Sequence, residues 1–463
     1  MAALLSLGTL AVLVIGALVF WKERMLLCDA PHIAFRIINE QTLQIQQFRY
    51  GAFITQSVPL LASKLHLPLQ TVLILYSLSF NLFYFLIAAV LVFRFKTYGL
   101  AVLIGFYYTL FASDTFYWTN NEVHQGIAWM FLCFGYIFSP RKQRSFVATA
   151  LVLLFFGGLA IITHPLVLIP FVFLWGFFLI DKSSWPYSRQ QTLALTIIVA
   201  TLVFAKLIIS KTNASYDSSM MEGVGGFSLR SIAEAFTSDM ALELLKHTVK
   251  NFWIVPILFV AGIVALLKRR KLLLAAYTAM FFLAYFIAVC MTFKGYLAFY
   301  TEGELMAAAI IAAAPFVYFV LPQLKEKQIV LFVALIFIVR LAYIGVSSQK
   351  FTNRVGALNK VLQQMHRDNL TKLALLKDED HVEPIWMLDW GIPVESIMLS
   401  ALNGDPVQRQ FIILKPGEGN RVEVDTKHLV TTDIWRIDQL NQFYFHFDTT
   451  QPYLIKSYKD YIR

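Results

Sequence analysis

Long apolar runs alternate with short polar or basic breaks through the first three quarters of the chain. Runs long enough to cross about 30 Å of hydrocarbon, roughly 17–25 residues each, lie near 3–21, 72–93, 98–113, 125–139, 146–163, 165–180, 192–210, 252–267, 272–293, 305–321 and 328–346. The pattern predicts an all-α polytopic membrane core of about eleven transmembrane helices over residues 1–346. The first run has no basic stretch before it and no A-x-A site before Trp21, so it reads as an uncleaved anchor. The break Thr163-His164-Pro165 divides 146–180 into a hairpin, because the residue before a proline is driven out of the helical region. From Ser347 the pattern changes. Residues 351–376 are a mostly polar run of helical type, Pro384–Asp389 and Gln410–Leu414 have strand length, and Val394–Leu402 between them reads as helix. This predicts a small C-terminal α/β domain over 347–463.

Charge orients the ladder. One set of alternate short loops holds Arg94 and Lys96; Arg141, Lys142 and Arg144; Lys182 and Arg189; Lys268, Arg269, Arg270 and Lys271; Lys325 and Lys327. The opposite short loops hold only Lys294. Cytoplasmic loops carry the excess of Lys and Arg, so the N-terminus is expected inside, and an odd number of spans puts the tail outside. Lys22 and Arg24 argue the other way for the first span alone, and the five later loops outweigh them. The outer segments are then 22–71, 113–124, 211–251, 294–304 and the tail.

Composition narrows the function classes. Of 463 residues, 58% are hydrophobic and 15% charged, with mean hydropathy +0.63, which excludes an ordinary soluble enzyme and intrinsic disorder. The net charge of +10 belongs to loops between spans, so nucleic acid is discarded as a partner. Cys28, Cys133 and Cys290 are too far apart to suggest a disulfide framework or a metal cluster.

The polar residues that remain collect in the outer segments. In Cys28-Asp29-Ala30-Pro31-His32-Ile33-Ala34-Phe35-Arg36-Ile37-Ile38-Asn39-Glu40, helical spacing puts Asp29, Arg36 and Glu40 on one stripe opposite Ala34, Ile37 and Ile38. That pattern predicts a helix lying flat on the membrane surface, with Asp29 also suited to an N-cap ahead of Pro31. The second outer loop runs from Asp114 to His124, and Glu122-x-His124 would meet one cation if the backbone is extended there. The loop before the tenth run brings Lys294, Glu302 and Glu304 to the surface. Inside the spans, Lys206 is placed to snorkel, and Arg340 sits roughly 9 Å below the outer surface, where a charge faces a cavity or a partner.

This arrangement resembles the GT-C superfamily of integral-membrane glycosyltransferases: an N-in core, a long first outer loop opening with an acid, an acidic second outer loop and an outer C-terminal domain. The segment Trp390-Gly391-Ile392-Pro393-Val394-Glu395-Ser396-Ile397-Met398-Leu399-Ser400 is similar to tails of bacterial members. The resemblance implies transfer of a sugar, with inversion, from a polyprenyl-phosphate or polyprenyl-diphosphate carrier to a glycan, lipid or protein acceptor. It places that reaction on the extracytoplasmic face of a bacterial inner membrane. Asp29 would be the general base or a cation ligand. Glu122 and His124 would stand for the metal-binding dyad, holding Mg²⁺ or Mn²⁺, although the usual second-loop acid pair at i, i+2 is absent. Arg340, Lys294 or Arg49 would offset the departing phosphate, and Arg36, Glu40, Asp114, Glu302, Glu304 and His164 would line the substrate cavity. The same pattern is compatible with a transporter or lipid flippase, or with a non-catalytic membrane subunit.

Overall fold

The computed structural model describes residues 1–119, 122–140, 145–182, 185–212, 229–292, 295, 297–378 and 383–461. A helix covers each of the eleven apolar runs. In chain order the helices are α1 (Ala2–Val19), α2 (Trp21–Met25), α3 (Asp29–Glu40), α4 (Phe53–Lys64), α5 (Leu69–Ala89), α6 (Tyr98–Leu110), α7 (Glu122–Phe138), α8 (Phe146–Val152), α9 (Gly158–Thr163), α10 (Leu168–Asp181) and α11 (Arg189–Thr212). There follow α12 (Leu229–Thr237), α13 (Asp239–Asn251), α14 (Ile254–Lys268), α15 (Leu272–Thr292), α16 (Ala298–Pro315) and α17 (Glu326–Arg367). Wider π-helical turns extend α5 over Val90–Phe95, join α8 to α9, and extend α16 over Phe316–Val320.

Among the described residues, seven helices are long and apolar enough to cross a membrane: α1, α5, α8–α9, α11, α15, α16 and α17, with their π-helical extensions. The count of about eleven therefore stands only in part. The other four rods are α6, α7, α10 and α14, and α14 follows α13 at a bend of 90°. Hydropathy responds alike to burial in lipid and burial in protein. α6 is buried from Leu100 to Leu110, so its apolar run reflects protein neighbours as much as bilayer thickness.

Contacts along the rods fix their directions. Ser6 donates to the Ala101 carbonyl at 2.5 Å and Ser77 to the Ala17 carbonyl at 2.7 Å, so α1 runs parallel to α6 and against α5. The Thr149 and Tyr187 hydroxyls meet at 3.0 Å, and the Phe138 and Phe178 rings stand 4.2 Å apart. α8–α9 and α10 thus form the hairpin expected from Thr163-His164-Pro165; His164 is extended, φ −158°, at its tip. Lys206 donates to the Ile162 carbonyl and Tyr277 to the Val172 carbonyl, at 3.2 and 3.0 Å. The packing centre is α16, whose run Ala307–Ala314 is wholly buried. Its small side chains let neighbouring backbones approach closely, which is how helices associate where no hydrophobic drive exists.

One end of the bundle gathers the basic breaks. Lys271 pairs with Asp181, and Arg269 and Lys271 lie over the Phe319 ring. Lys96 borders the same groove as Met1 and Glu326. The other end carries α2–α4, the α6–α7 loop and the tail.

α17 is a single helix of 42 residues. It continues unbroken past Ser347, so the change of composition there marks emergence from the apolar layer and not a hinge. The expected helix 351–376 stops at Arg367 and gives way to strand β1 (Lys372–Leu376), while the expected strand Pro384–Asp389 is replaced by 3₁₀ turns at Pro384–Trp386 and Asp389–Gly391, with Trp386 buried against the sheet. Proline at the first turn position favours that geometry. Gln410–Leu414 is strand β2, and Val394–Leu402 falls within helix α18 (Ile392–Leu402), as expected. Strand β3 (His428–Val430) pairs antiparallel with β4 (Ile434–Arg436). Strand β5 (Leu454–Ser457) completes a parallel sheet of order β2-β1-β5. β1 and β2 are almost entirely buried, as parallel strands covered on both faces are.

Candidate functional site

The site is built around the first turn of α3. Cys28, immediately before it, adopts φ 52° and ψ −107°, a conformation that costs a non-glycine residue energy. What holds it there is the tail. The Cys28 N–H donates to Glu395 Oε1 at 2.8 Å, and Glu395 receives three further bonds from Arg354, at 2.8–3.1 Å. Both partners of this pair are almost fully buried, and Arg354 also donates to the Ile385 and Met387 carbonyls at 2.9 Å. Burial raises the Glu395 carboxyl and Arg354 opposes that shift. Gly391 closes the joint: a Cβ there would stand 2.9 Å from Cys28 Cα.

Asp29 is thereby fixed at the positive end of the α3 dipole. Its Oδ2 accepts from Trp118 Nε1 at 2.8 Å. Burial pushes the carboxyl up to about 6; the Trp118 bond and Arg49 pull down, and Glu122 pushes up. The residue keeps part of its surface open. One turn on, His32 sits against Trp390 and is held below its usual range by burial.

Arg49 and Glu122 form a largely buried ion pair, 2.7 Å, next to Asp29. Arg49 arrives on a segment folded down along α7. Gln47 and Phe48 take left-handed conformations, the Gly51 carbonyl accepts from Trp129 Nε1 at 3.0 Å, and Thr55 donates to Gln125 at 2.8 Å. Gly51 packs so tightly on Thr163 that a Cβ would lie 1.9 Å from its hydroxyl. Phe48, Tyr50 and Phe53 remain exposed around this segment.

The α6–α7 loop presents Trp118, and three charges brace that loop. Glu302 Oε2 accepts from the Ser113 and Thr115 N–H groups at 2.9 Å. Arg340 donates to the Thr109, Ala112 and Asn251 carbonyls and to Ser113 Oγ, and packs on Phe252 and Tyr343. Arg24 donates to the Phe116 carbonyl, Ser77 and Asn81. A cavity of about 30 Å³ is lined by Trp118, Phe80, Phe116 and Met306 and also touches Arg24 and His124, a volume suited to about one water molecule.

The expected site residues therefore separate into two groups. Asp29, Arg49 and Glu122 come together. Arg340, expected at the donor phosphate, instead spends its donors on backbone carbonyls, and Glu302 serves the loop backbone. Asp114 pairs with Lys350 at 2.7 Å. The Glu304 carbonyl accepts from Tyr285, and His164 Nδ1 accepts from the Leu166 N–H as a helix cap. Arg36 and Glu40 pair with each other on a half-exposed face at 2.9 Å. Lys294 lies outside the described residues.

Two expectations are corrected. α3 does not lie flat with its apolar face in lipid: Ala34, Ile37 and Ile38 are buried, Phe35 packs on Trp435 and Phe445, and Asn39 accepts from the Asn441 N–H at 2.7 Å. The tail covers the face that the periodicity assigned to the membrane. Glu122 and His124 do not form a dyad either. Both lie in the first turn of α7, where i and i+2 point about 200° apart, so Glu122 meets Arg49 while His124 Nδ1 meets the Tyr107 hydroxyl at 2.8 Å. No group of three His, Cys, Asp or Glu side chains among the described residues could hold a metal ion.

Trp118, Arg24, Arg354 and Glu395 were not assigned roles from sequence. The one available signal was charge in apolar context: Glu395 stands in the run Ile392–Leu402 and Arg24 follows the first span. No protein family, curated protein or solved structure matches the chain.

Proposed function

We propose that this protein is a membrane glycosyltransferase of GT-C type that moves a sugar from a polyprenyl-phosphate or polyprenyl-diphosphate carrier to an acceptor hydroxyl or amide. The observation that carries this reading is the seating of Asp29. A partly buried carboxylate whose pKa is pushed up to about 6 stands beside the Arg49–Glu122 pair, at the end of the bundle away from the basic loops. A base with a pKa near the working pH is suited to proton abstraction.

In the proposed reaction Asp29 takes the proton of the acceptor. The acceptor atom then bonds to the anomeric carbon from the face opposite the leaving group. The bond from that carbon to the carrier's phosphate oxygen breaks, and the phosphate leaves with the electron pair. Arg49, the cation acting on Asp29, offsets the charge that develops on the phosphate. The reading includes eleven crossing helices, a cytoplasmic basic end and an extracytoplasmic site in a bacterial inner membrane. The segregation of basic loops from Asp29 supports it. A metal ion is not required by this scheme, and Glu122 and His124 do not contribute one.

The test uses the purified protein in lipid nanodiscs with a polyprenyl-phosphate-linked sugar and candidate acceptors. Asp29→Asn is expected to lower the rate by roughly 10²–10⁴-fold, the usual contribution of a general base, while leaving the protein folded. Wild-type activity is expected to rise with pH through about 6, because only the ionised carboxylate accepts a proton. Equal transfer by both proteins sinks the assignment.

A further inference from the structure

At the basic end of the bundle, opposite Asp29, a groove of about 660 Å³ opens between the start of α1, the end of α5, the start of α6 and the α16–α17 junction. That volume lies within the range of small-ligand sites, about 300–1,000 Å³. Its walls are apolar, including Val92, Tyr98, Val102, Val317, Leu321 and Ile329. Two of the three π-helical turns in the described chain border it, Val90–Phe95 and Phe316–Val320. Such turns widen a helix locally and recur at functional sites. Lys96 and Glu326, of opposite charge, stand on the rim, and Met1 lines the same groove. Both are exposed, and among the described residues neither is ion-paired.

We infer that this groove binds one phospholipid with a phosphoethanolamine headgroup, its acyl chain along the apolar walls, its phosphate on Lys96 and its ammonium on Glu326. The charges select this class. A phosphoglycerol headgroup would bring only neutral hydroxyls to the Glu326 carboxylate, without the charge assistance of an ammonium. A choline headgroup carries a cation without N–H donors and so loses the hydrogen bonds that a primary ammonium gives a carboxylate. The site needs nothing from Asp29 and stands whether or not the chain transfers sugar.

Native mass spectrometry of the full-length protein, released from detergent micelles doped with phosphatidylethanolamine, phosphatidylglycerol or phosphatidylcholine, tests it. The wild type is expected to retain one phosphatidylethanolamine about fivefold more strongly than either alternative, the scale of one exposed charge pair. Lys96→Gln is expected to lower retention of phosphatidylethanolamine and phosphatidylglycerol together. Glu326→Gln is expected to remove the preference for phosphatidylethanolamine and leave phosphatidylglycerol unweakened. Leu4→Trp, at an exposed lining position, is expected to displace the lipid by filling the groove. Equal retention of all three lipids by the wild type means annular lipid only and overturns the proposal. So does phosphatidylglycerol retained above phosphatidylethanolamine, or a pair of charge variants indistinguishable from wild type.

Discussion

Asp29 is held between opposing forces. Burial favours its protonated form, while the indole N–H of Trp118 and the α3 dipole favour the carboxylate, and the outcome is a pKa of about 6 against a reference near 3.8. A carboxyl raised in the folded state binds its proton more tightly than in the unfolded state, so its contribution to stability is fully present below about pH 4 and is lost as pH rises through 6. Asp29→Asn removes the cost of an ionised buried group. Its melting temperature is expected to exceed wild type at pH 7 and to match it near pH 4, as thermal unfolding by intrinsic fluorescence would show; a destabilised variant at pH 7 contradicts the buried-charge account. Trp118→Phe removes a hydrogen bond to a charged group, worth about 1.5–3 kcal/mol. The pKa then rises, and the acid limb of the activity profile is expected to move up by roughly one to two pH units. The position of Asp29 at the head of α3 was legible from sequence, because Pro31 marks a first helical turn there. Its hydrogen-bond donor, 89 residues away, was not, since spacing carries no information on distant partners.

Among elements, the joint between the tail and α3 decides whether that carboxylate is placed at all. Glu395 on α18 and Arg354 on α17 are both buried, and each satisfies the other. Removing one partner leaves an unpaired charge, which costs about 3–5 kcal/mol. Arg354→Ala and Glu395→Ala are each expected to destabilise on that scale, and a melting temperature near wild type would place the pair in solvent. Gly391→Ala is expected to cost about 1–3 kcal/mol by forcing Cys28 aside. The amphipathic period of α3 was readable, and its apolar stripe of Ala34, Ile37 and Ile38 is buried; the partner that covers it was not, because an apolar stripe fits a protein surface as well as a membrane. Spacing likewise placed Glu122 and His124 together in sequence, but helix geometry in the first turn of α7 sends them to different partners.

For the whole molecule, the rods alternate in direction and the charge segregates to two ends. Among the described residues, the basic breaks at Lys96, Lys182 and Lys268–Lys271 share one end, and Asp29 occupies the other. Reporter fusions or impermeant thiol labelling at introduced cysteines are expected to place the Lys268–Lys271 break and the tail on opposite sides of the membrane. Labelling of both from one side refutes the proposed topology. Charges expected to greet substrate, Arg340 and Glu302, turned out to brace the α6–α7 loop that carries Trp118. A buried ion is costly in either role, so its presence in a span announces an obligation to be satisfied without saying by what.

The sequence by itself determined the helical rods, their alternation, the basic end and the acid at the head of α3, because hydrophobic period, chain direction and charge bias are local or additive quantities. Tertiary structure alone decided which charges are framework and which surround Asp29, that the tail covers α3, and that Cys28 is held in its strained conformation by a side chain 367 residues away. Those outcomes depend on which groups meet across the fold, where desolvation compels each buried polar atom to find a partner.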